Sequence, residues 1–293
     1  MSALPDSTAP VISVVVVNWN GGDEVMTCLH SLATHPPTAP WEAIVVDNAS
    51  RDGSVERIRR ELPWVRVIAN ADNLGLAAGN NQGIRASQAE YVLISNPDVR
   101  YQPGAIDALY ELLRRRDRAA FAVARLRDPD GALQTSAGDL PTFSEAFIGR
   151  ALPRRNAARR GFWWHGWDHD VEQRIGHGGE ACYLVRRDTI EEVGPQDERF
   201  WLDWEGIDWS RRVAEAGWEI WYCPQAEVVH VGGVSLRQVK YRWIFFSHRG
   251  MYRYFRLRYR RPVRSLLAAA IALRAVSKMA VATVDSRTYD RAR

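Results

Sequence analysis

The sequence predicts an α/β protein built on a doubly wound, largely parallel sheet. Three observations carry that expectation. Short apolar, β-branched runs alternate with helix-patterned stretches from Val11 to Ala124. The first run, Val11 to Val17, is continuously apolar rather than alternating, as suits a strand covered on both faces. The runs end in polar residues: Asn18 and Asn20, then Asp47 and Asn48, then Asn73, then Asn96 and Asp98. Such residues line the mouth of a sheet, where open α/β folds bind ligands.

The elements follow in order. Residues 1–10 are polar and proline-containing and read as a loose leader. Strand Val11–Val17 precedes a helix over about Gly22 to Thr34. Ala43–Asp47 is the second strand and Gly53–Glu61 the next helix. Val65–Ala69, a helix over Gly75 to Ser87, and Tyr91–Ser95 continue the alternation. A helix from Pro103 to about Arg116 and a short strand Ala119–Ala124 complete it. The pattern breaks near Arg125, and residues 125–175 hold the cluster Phe162-Trp163-Trp164-His165-Gly166-Trp167. Order resumes with strand Cys182–Arg186, helices near Asp188–Val193 and Ile207–Ala216, and strands Trp218–Cys223 and Val228–Val231. The C-terminal stretch reads as helices with aromatic and arginine faces.

At 293 residues, the chain is long enough for a well-buried core. Its 39 basic and 35 acidic residues leave a net charge of only +4. The basic residues are unevenly spread: arginines run from Arg242 to Arg264 with no acidic residue among them. That patch predicts an anionic neighbour, a membrane surface or a phosphate-bearing substrate. No nucleic-acid motif accompanies it. Cys28, Cys182 and Cys223 lack metal-ligand spacing and suit a reducing cytosol. No secretion signal is visible at the N-terminus. The apolar run Leu266 to Ala282 is interrupted by Arg274 and Lys278, and reads as an interfacial or core helix rather than a membrane span.

The first strand-to-helix turn reads Asn18-Trp19-Asn20-Gly21-Gly22, not the glycine pattern of dinucleotide folds, and no phosphate-binding P-loop pattern occurs. The most informative motif is Asn96-Pro97-Asp98 at the end of a strand. The proline fixes the turn. Asp98 is there a natural ligand for a hard cation such as Mg²⁺ or Mn²⁺, which commonly carries a diphosphate.

With these stretches in view, the chain resembles the bacterial family 2 glycosyltransferases, closest to their rhamnosyltransferase-like branch. The matching strings are Val14-Val15-Val16-Val17-Asn18-Trp19-Asn20, Asp47-Asn48-Ala49-Ser50-Arg51-Asp52-Gly53-Ser54, Asn73-Leu74-Gly75 with Gly79-Asn80-Asn81-Gln82-Gly83, Asn96-Pro97-Asp98, Glu180-Ala181-Cys182 with Arg186-Arg187, Phe200 to Arg212, and His230-Val231-Gly232-Gly233-Val234-Ser235. The resemblance implies a GT-A type fold: a doubly wound, mixed, mostly parallel sheet with a C-terminal helical extension. It implies a transferase domain over 11–236, with a nucleotide-binding half (11–124) and an acceptor and catalytic half (125–236), followed by basic amphipathic helices over 237–293.

The resemblance also implies roles. Asn18, Asn20, Asp47, Asn48, Asn73, Asn80 and Asn96 would bind the nucleotide-sugar, with Asp47 on its base and ribose. Asp98 and His230 would hold the metal, Mn²⁺ or Mg²⁺. One departure matters: in the segment Trp201 to Trp209, Gly206 falls where the family's catalytic Asp stands, and Glu180 stands where members more often have Gly. An inverting transferase needs a carboxylate to take the acceptor hydroxyl's proton. Glu205 is the first candidate, Asp203 the second, and Asp208 a third that could instead pair with Arg211 or Arg212.

Region 141–180 is expected to cover the acceptor, with Trp163, Trp164, His165 and Trp167 either stacking on a sugar or lipid or serving as core aromatics. The C-terminal helices would lie on an anionic membrane, pack on the domain or form a homodimer interface. The resulting expectation is a cytoplasmic inverting glycosyltransferase, peripheral at the inner face of the plasma membrane. It would pass a sugar, in the first instance rhamnose from dTDP-rhamnose, to a glycan or polyprenyl-linked acceptor in cell-wall polysaccharide synthesis. Rival readings are a UDP-hexose or UDP-galactofuranose transferase and a degenerate sugar-nucleotide-binding protein, the latter motivated by Gly206. A nucleotidyltransferase is disfavoured by the loop after the first strand.

Overall fold

A computed structural model describes residues 9–148, 161–233 and 240–284. Most of the expected leader, residues 149–160 of the expected acceptor region, and Val234 and Ser235 of the histidine motif lie outside the described residues. The main sheet contains β1 (Ile12–Asn18), β2 (Trp41–Asp47), β3 (Val65–Ala69), β4 (Tyr91–Ser95), β5 (Val99–Tyr101) and β6 (Ala119–Arg127). A short ladder joins β7 (Ala137–Gly138) to β9 (His177–Gly178). The main sheet also takes in β8 (Gln173–Ile175), β10 (Cys182–Arg186) and β11 (Glu219–His230). Its strand order is β3-β2-β1-β4-β10-β6-β11-β5, with β8 paired to β11. Strands β1 to β4 are parallel, as are β6 and β11, while β10 is inserted antiparallel between β4 and β6.

Every residue of β1 is buried. Successive strand side chains point to opposite faces, so one apolar run feeds two cores. Val14 and Val16 join Ala43, Val45 and Leu93 on one face; Val15 and Val17 join Ile44, Val46 and Ile94 on the other. The first face is covered by α1 (Gly22–Thr34), α2 (Ser54–Glu61) and α4 (Ala105–Arg114) through Leu29, Ile58 and Leu109. The second is covered by α3 (Leu76–Ala86), α6 (Arg187–Val193) and α7 (Glu205–Glu215) through Ile84, Ile190 and Trp209. Each such side chain, fully buried, contributes about 1.5–3 kcal/mol.

A third apolar cluster lies outside these two layers. Phe200, Trp204 and Ile207 pack with Met251, Tyr254 and Phe255 of α8 (Lys240–Arg256) and with Leu267 and Ile271 of α9 (Arg261–Val284). Phe143 and Ala146 of α5 (Phe143–Ile148) complete it. The C-terminal helices therefore pack on the domain beside the start of α7.

Three expectations are corrected. The two strands expected at Trp218–Cys223 and Val228–Val231 are one strand, β11, whose pairing to β6 shifts register between Cys223 and Glu227. Pro224 interrupts the ladder there because it has no N–H to donate. Strand β5 was not anticipated: three residues following Asp98 are too few to show a period. The apolar run expected over Leu266–Ala282 extends into a helix whose stretch Arg261–Thr283 has 23 residues and a mean hydropathy of 1.6, long and apolar enough by length and composition to cross a membrane. Only 17% of that window is buried, so it is not a core helix.

Helix α3 approaches β1 closely at Gly83, where an added Cβ would fall 3.0 Å from Val15 Cγ2 and closer still to Cγ1. Alanine is ordinarily the better helix former by about 1 kcal/mol. Here overpacking of order 1–3 kcal/mol outweighs that gain. Gly83→Ala is expected to lower the urea midpoint, with an unchanged m-value, in equilibrium unfolding followed by circular dichroism.

Candidate functional site

The topology gathers one edge of the sheet. The carboxyl ends of β1, β2, β4 and β11 meet the amino end of antiparallel β10, and Asn96 N–H donates to Ala181 O at 2.8 Å. A cavity of about 1040 Å³ opens at this edge, lined by Asn48, Asn73, Asn96, Asp98, Glu180, Asp203, Glu205 and His230 among others.

Asn18, Asn20 and Asp47 form a hub beside this cavity rather than part of its lining. Asn18 Nδ2 donates to Asp47 Oδ1 at 2.8 Å and to Ser54 Oγ at 3.0 Å. Asp47 also accepts from the Ser50 amide and hydroxyl, at 2.9 and 2.5 Å. Asn20 takes a positive φ of 48° and accepts from the Arg51 amide at 2.8 Å. Both loops after β1 and β2 are thus cross-braced by their own polar side chains. Asn48 and Asn73 do reach the cavity; Asn48 Nδ2 donates to Gly75 O and Asn73 Oδ1 accepts from the Gly75 amide, both at 3.0 Å. Asn80 is buried away from it and donates to Gln196 Oε1 at 3.0 Å, tying α3 to the segment after α6.

Asp98 Oδ1 lies 3.4 Å from His230 Nε2, and Asn96 Nδ2 lies 3.4 Å from the same nitrogen. Gln134 fixes the imidazole. Its Nε2 donates to Asp128 Oδ1 at 2.6 Å and to His230 O at 2.8 Å, so its Oε1 is the atom facing His230 Nδ1 at 2.9 Å. An amide oxygen only accepts, so Nδ1 carries a hydrogen and Nε2 is the nitrogen that faces Asp98. That is the orientation a metal-binding histidine needs. The donor set, one carboxylate and one imidazole, suits Mn²⁺ and less closely Mg²⁺. Among the described residues no cluster of three or more His, Cys, Asp or Glu would encircle a cation. A cation held by these two side chains would take its other positions from water and phosphate oxygens.

The remaining carboxylates gather at the start of α7. Asp203 and Trp204 both adopt positive φ, 64° and 73°, immediately before the helix. Left-handed backbone at a bulky residue such as Trp204 is strained by about 1–3 kcal/mol. The strained turn aims Asp203 at Trp243 Nε1, which donates to its Oδ2 at 2.7 Å. Glu205 is only 1% exposed, and neither of its carboxyl oxygens has a conventional hydrogen-bond partner. Burial, then the Glu180 and Asp203 charges, push it well above the usual carboxylate range. Glu180, half-buried, is raised to about 7 by desolvation and then by Asp203, against the opposing pull of Glu205 and the Gly206 and Ile207 amides. Asp208 faces elsewhere: it binds Arg211 at 2.9 Å and Arg212 at 3.1 Å.

Of the expected acceptor aromatics, Trp163 lines the cavity with Phe162. Trp164 is core, donating to Asp139 Oδ2 at 3.0 Å, and Trp167 packs on Tyr222. His165 Nδ1 lies 3.4 Å from Thr135 Oγ1. Sequence reasoning missed Gln134, Trp201 and Trp243, and did not place Arg274 and Lys278 of α9 on the cavity wall. Only Lys278 and Arg274, as charges breaking an apolar run, gave any signal.

Residues 13–205 match the family model described as glycosyl transferase family 2. The chain is 30% identical over 287 residues to the N-acetylglucosaminyl-diphospho-decaprenol L-rhamnosyltransferase of Mycobacterium tuberculosis, covering 90% of this chain and 91% of that protein. It is 24% identical to the low-salt glycan biosynthesis hexosyltransferase Agl10 of Haloferax volcanii, covering 75% of this chain and 66% of that one. Among solved structures, the mannosyltransferase PcManGT from Pyrobaculum calidifontis in complex with GDP-Man and Mn²⁺ superposes with a TM-score of 0.58 at 15% identity, over 97% of this chain and 78% of that one. GalNAc-T7 with UDP, GalNAc and Mn²⁺ gives 0.57 at 17%, over 77% of this chain and 44% of that one. These structural likenesses are likenesses of fold.

Asp208→Asn is expected to destabilise the protein by about 1–3 kcal/mol, because it takes the carboxylate from Arg212 and one of two carboxylates from Arg211, which keeps Glu215. Urea unfolding checks the loss. Any enzymatic turnover measured below the unfolding transition should change little.

Proposed function

Because the chain belongs to glycosyl transferase family 2, we propose that it transfers one sugar, with inversion, from a nucleoside-diphosphate donor to a lipid-linked glycan acceptor in cell-envelope polysaccharide synthesis. Rhamnose from dTDP-rhamnose is the donor the reading favours, on the identity shared with the mycobacterial rhamnosyltransferase along nearly the full length of both chains. The observation that carries the reading is the convergence of the Asp98–His230 pair and the carboxylates Glu180, Asp203 and Glu205 on one cavity.

The roles follow from position. Asn48, Asn73 and Asn96 offer amides to the polar part of the nucleotide-sugar. The hub of Asn18, Asn20 and Asp47 holds the two loops that would bracket the base and ribose. Asp98 and His230 would hold Mn²⁺ or Mg²⁺, which when bound neutralises charge growing on the leaving diphosphate. A carboxylate at the start of α7 would take the proton of the acceptor hydroxyl.

The acceptor would enter from the side of α8 and α9. Arg274 and Lys278 line the cavity there. The Arg274 guanidinium lies 5.8 Å from the Phe147 ring, and burial lowers its affinity for its proton. A cation held in so apolar a setting suits a phosphate of the acceptor. The outer face of α9 exposes Leu266, Leu273, Val276 and Val281, with Leu266 73% and Leu273 70% exposed. With the arginines of α8, this apolar stripe fits the inner face of an anionic plasma membrane, on which the protein would sit peripherally.

The test is sugar transfer by the purified protein with Mn²⁺ or Mg²⁺, a panel of nucleotide-sugars and a polyprenyl-diphosphate N-acetylglucosamine acceptor. Metal-dependent release of dTDP is expected, lost in Asp98→Ala. Release of UDP from a hexose or galactofuranose donor would reassign the donor, and donor binding without turnover would favour a degenerate binding protein. Arg274→Ala is expected to raise the acceptor KM about tenfold or more and leave the donor KM unchanged. Cosedimentation with vesicles containing phosphatidylglycerol should fall as salt rises; a concentration-dependent dimer that ignores vesicles would assign the stripe to a homodimer instead.

A further inference from the structure

Resting on the transferase reading above, we propose that Glu180, on the turn leading into β10, is the general base of the transfer, taking the part that the first residues of α7 do not supply. The geometry is a matter of occupied space. A Cβ built on Gly206 would lie 2.5 Å from Glu180 Oε1 and 2.7 Å from its Cγ. Glu180 therefore fills the volume over the first turn of α7 that any side chain at 206 would claim, and its carboxyl lines the cavity there.

Glu180 and Glu205 both line the cavity, but they are not equivalent. Glu180 is set against the Gly206 and Ile207 amides at the helix start, which favour its ionised form. Glu205, beside it, has only its own backbone amide favouring the ionised form, and burial, then the Glu180 charge, push it toward the neutral acid. Of the two carboxyls, Glu205 is the one driven further toward the neutral acid, and Glu180 is the one better placed to accept a proton. The other titratable groups facing Glu180 are Asp203 and Tyr183. Desolvation first, and then the Asp203 charge, raise the affinity of Glu180 for a proton to about 7, close to the pH at which a base must act.

In the step itself, the acceptor hydroxyl oxygen bonds to the anomeric carbon while the bond from that carbon to the donor diphosphate oxygen breaks. The electron pair of the broken bond leaves with the nucleoside diphosphate. The hydroxyl proton passes to the Glu180 carboxylate and is later lost to water.

The test compares wild type, Glu180→Gln, Glu205→Gln, Gly206→Asp and the double variant Glu180→Gly/Gly206→Asp. Their folds are checked by circular dichroism and their donor affinity by calorimetry. In wild type kcat should rise with pH through about 7, since the base must lose its proton to act. Glu180→Gln should lower kcat by roughly 10²–10⁴-fold, abolish that acid limb and leave the donor KM within about twofold. Gly206→Asp alone should be inactive or poorly folded, because its side chain meets Glu180. The double variant removes that conflict and returns a carboxylate to the same space, so its kcat should recover to within about tenfold of wild type. It also decides the matter should Glu180→Gln fail to fold: a folded double variant without activity overturns the assignment. Glu180→Gln with near-normal kcat and an intact acid limb overturns it too, and passes the role to Glu205 if Glu205→Gln is dead. Absence of transfer by wild type from every donor overturns the transferase reading, and the assignment with it.

Discussion

The site depends on the direction of one strand. Strand β10 enters the sheet antiparallel between β4 and β6, with Cys182 opposite Ser95 and Tyr183 opposite both Ile94 and Val123. Its amino end therefore lies where its neighbours have their carboxyl ends. A parallel strand in that slot would carry Glu180 to the far side of the sheet. The reversed strand brings Glu180 beside Asn96 and, through the β6–β11 pair, onto the same edge as His230. Because β10 is buried on both faces, shifting its register by one residue would exchange every side chain between the two cores. The register that packs Leu184 and Val185 correctly is the one that holds the carboxyl in the cavity.

Much of this was legible in the sequence because the signals were local. Five strands of the first half were marked by short apolar runs, and their polar ends marked the edge at which the cavity opens. What was illegible depended on partners far along the chain. Strand β5 is three residues long and exists because β11 returns antiparallel beside it. The two runs flanking Pro224 make one strand because β6 spans the interruption. Asp47 was readable as a functional carboxylate, but not as one spent on Asn18 and Ser50, since those bonds join residues brought together by the parallel pairing of β1 with β2. Gly206 looked like a loss in the sequence. Only three dimensions show that Glu180, twenty-six positions earlier, stands in the space it leaves.

The start of α7 concentrates costs that the rest of the fold must offset. Two consecutive non-glycine residues in left-handed conformation immediately precede the buried Glu205, against which Glu180 is set. The cluster of Phe200, Trp204 and Ile207 against α8 holds them in place. Strain and like charge at one point, over-determined by packing around it, are the usual mark of a site kept for chemistry rather than for stability.

Helix α9 has two unlike faces, with Arg274 and Lys278 on the cavity and Leu266 and Leu273 turned outward. A helix is about 10–12 Å across. Only that thickness separates the chemistry from whatever the outward face rests on. With a bilayer there, a long-tailed substrate would need to lift its headgroup by one helix diameter and leave its hydrocarbon behind. Enzyme and substrate would then find each other by search in two dimensions rather than three. Turnover would follow the surface density of the acceptor, not its amount per volume.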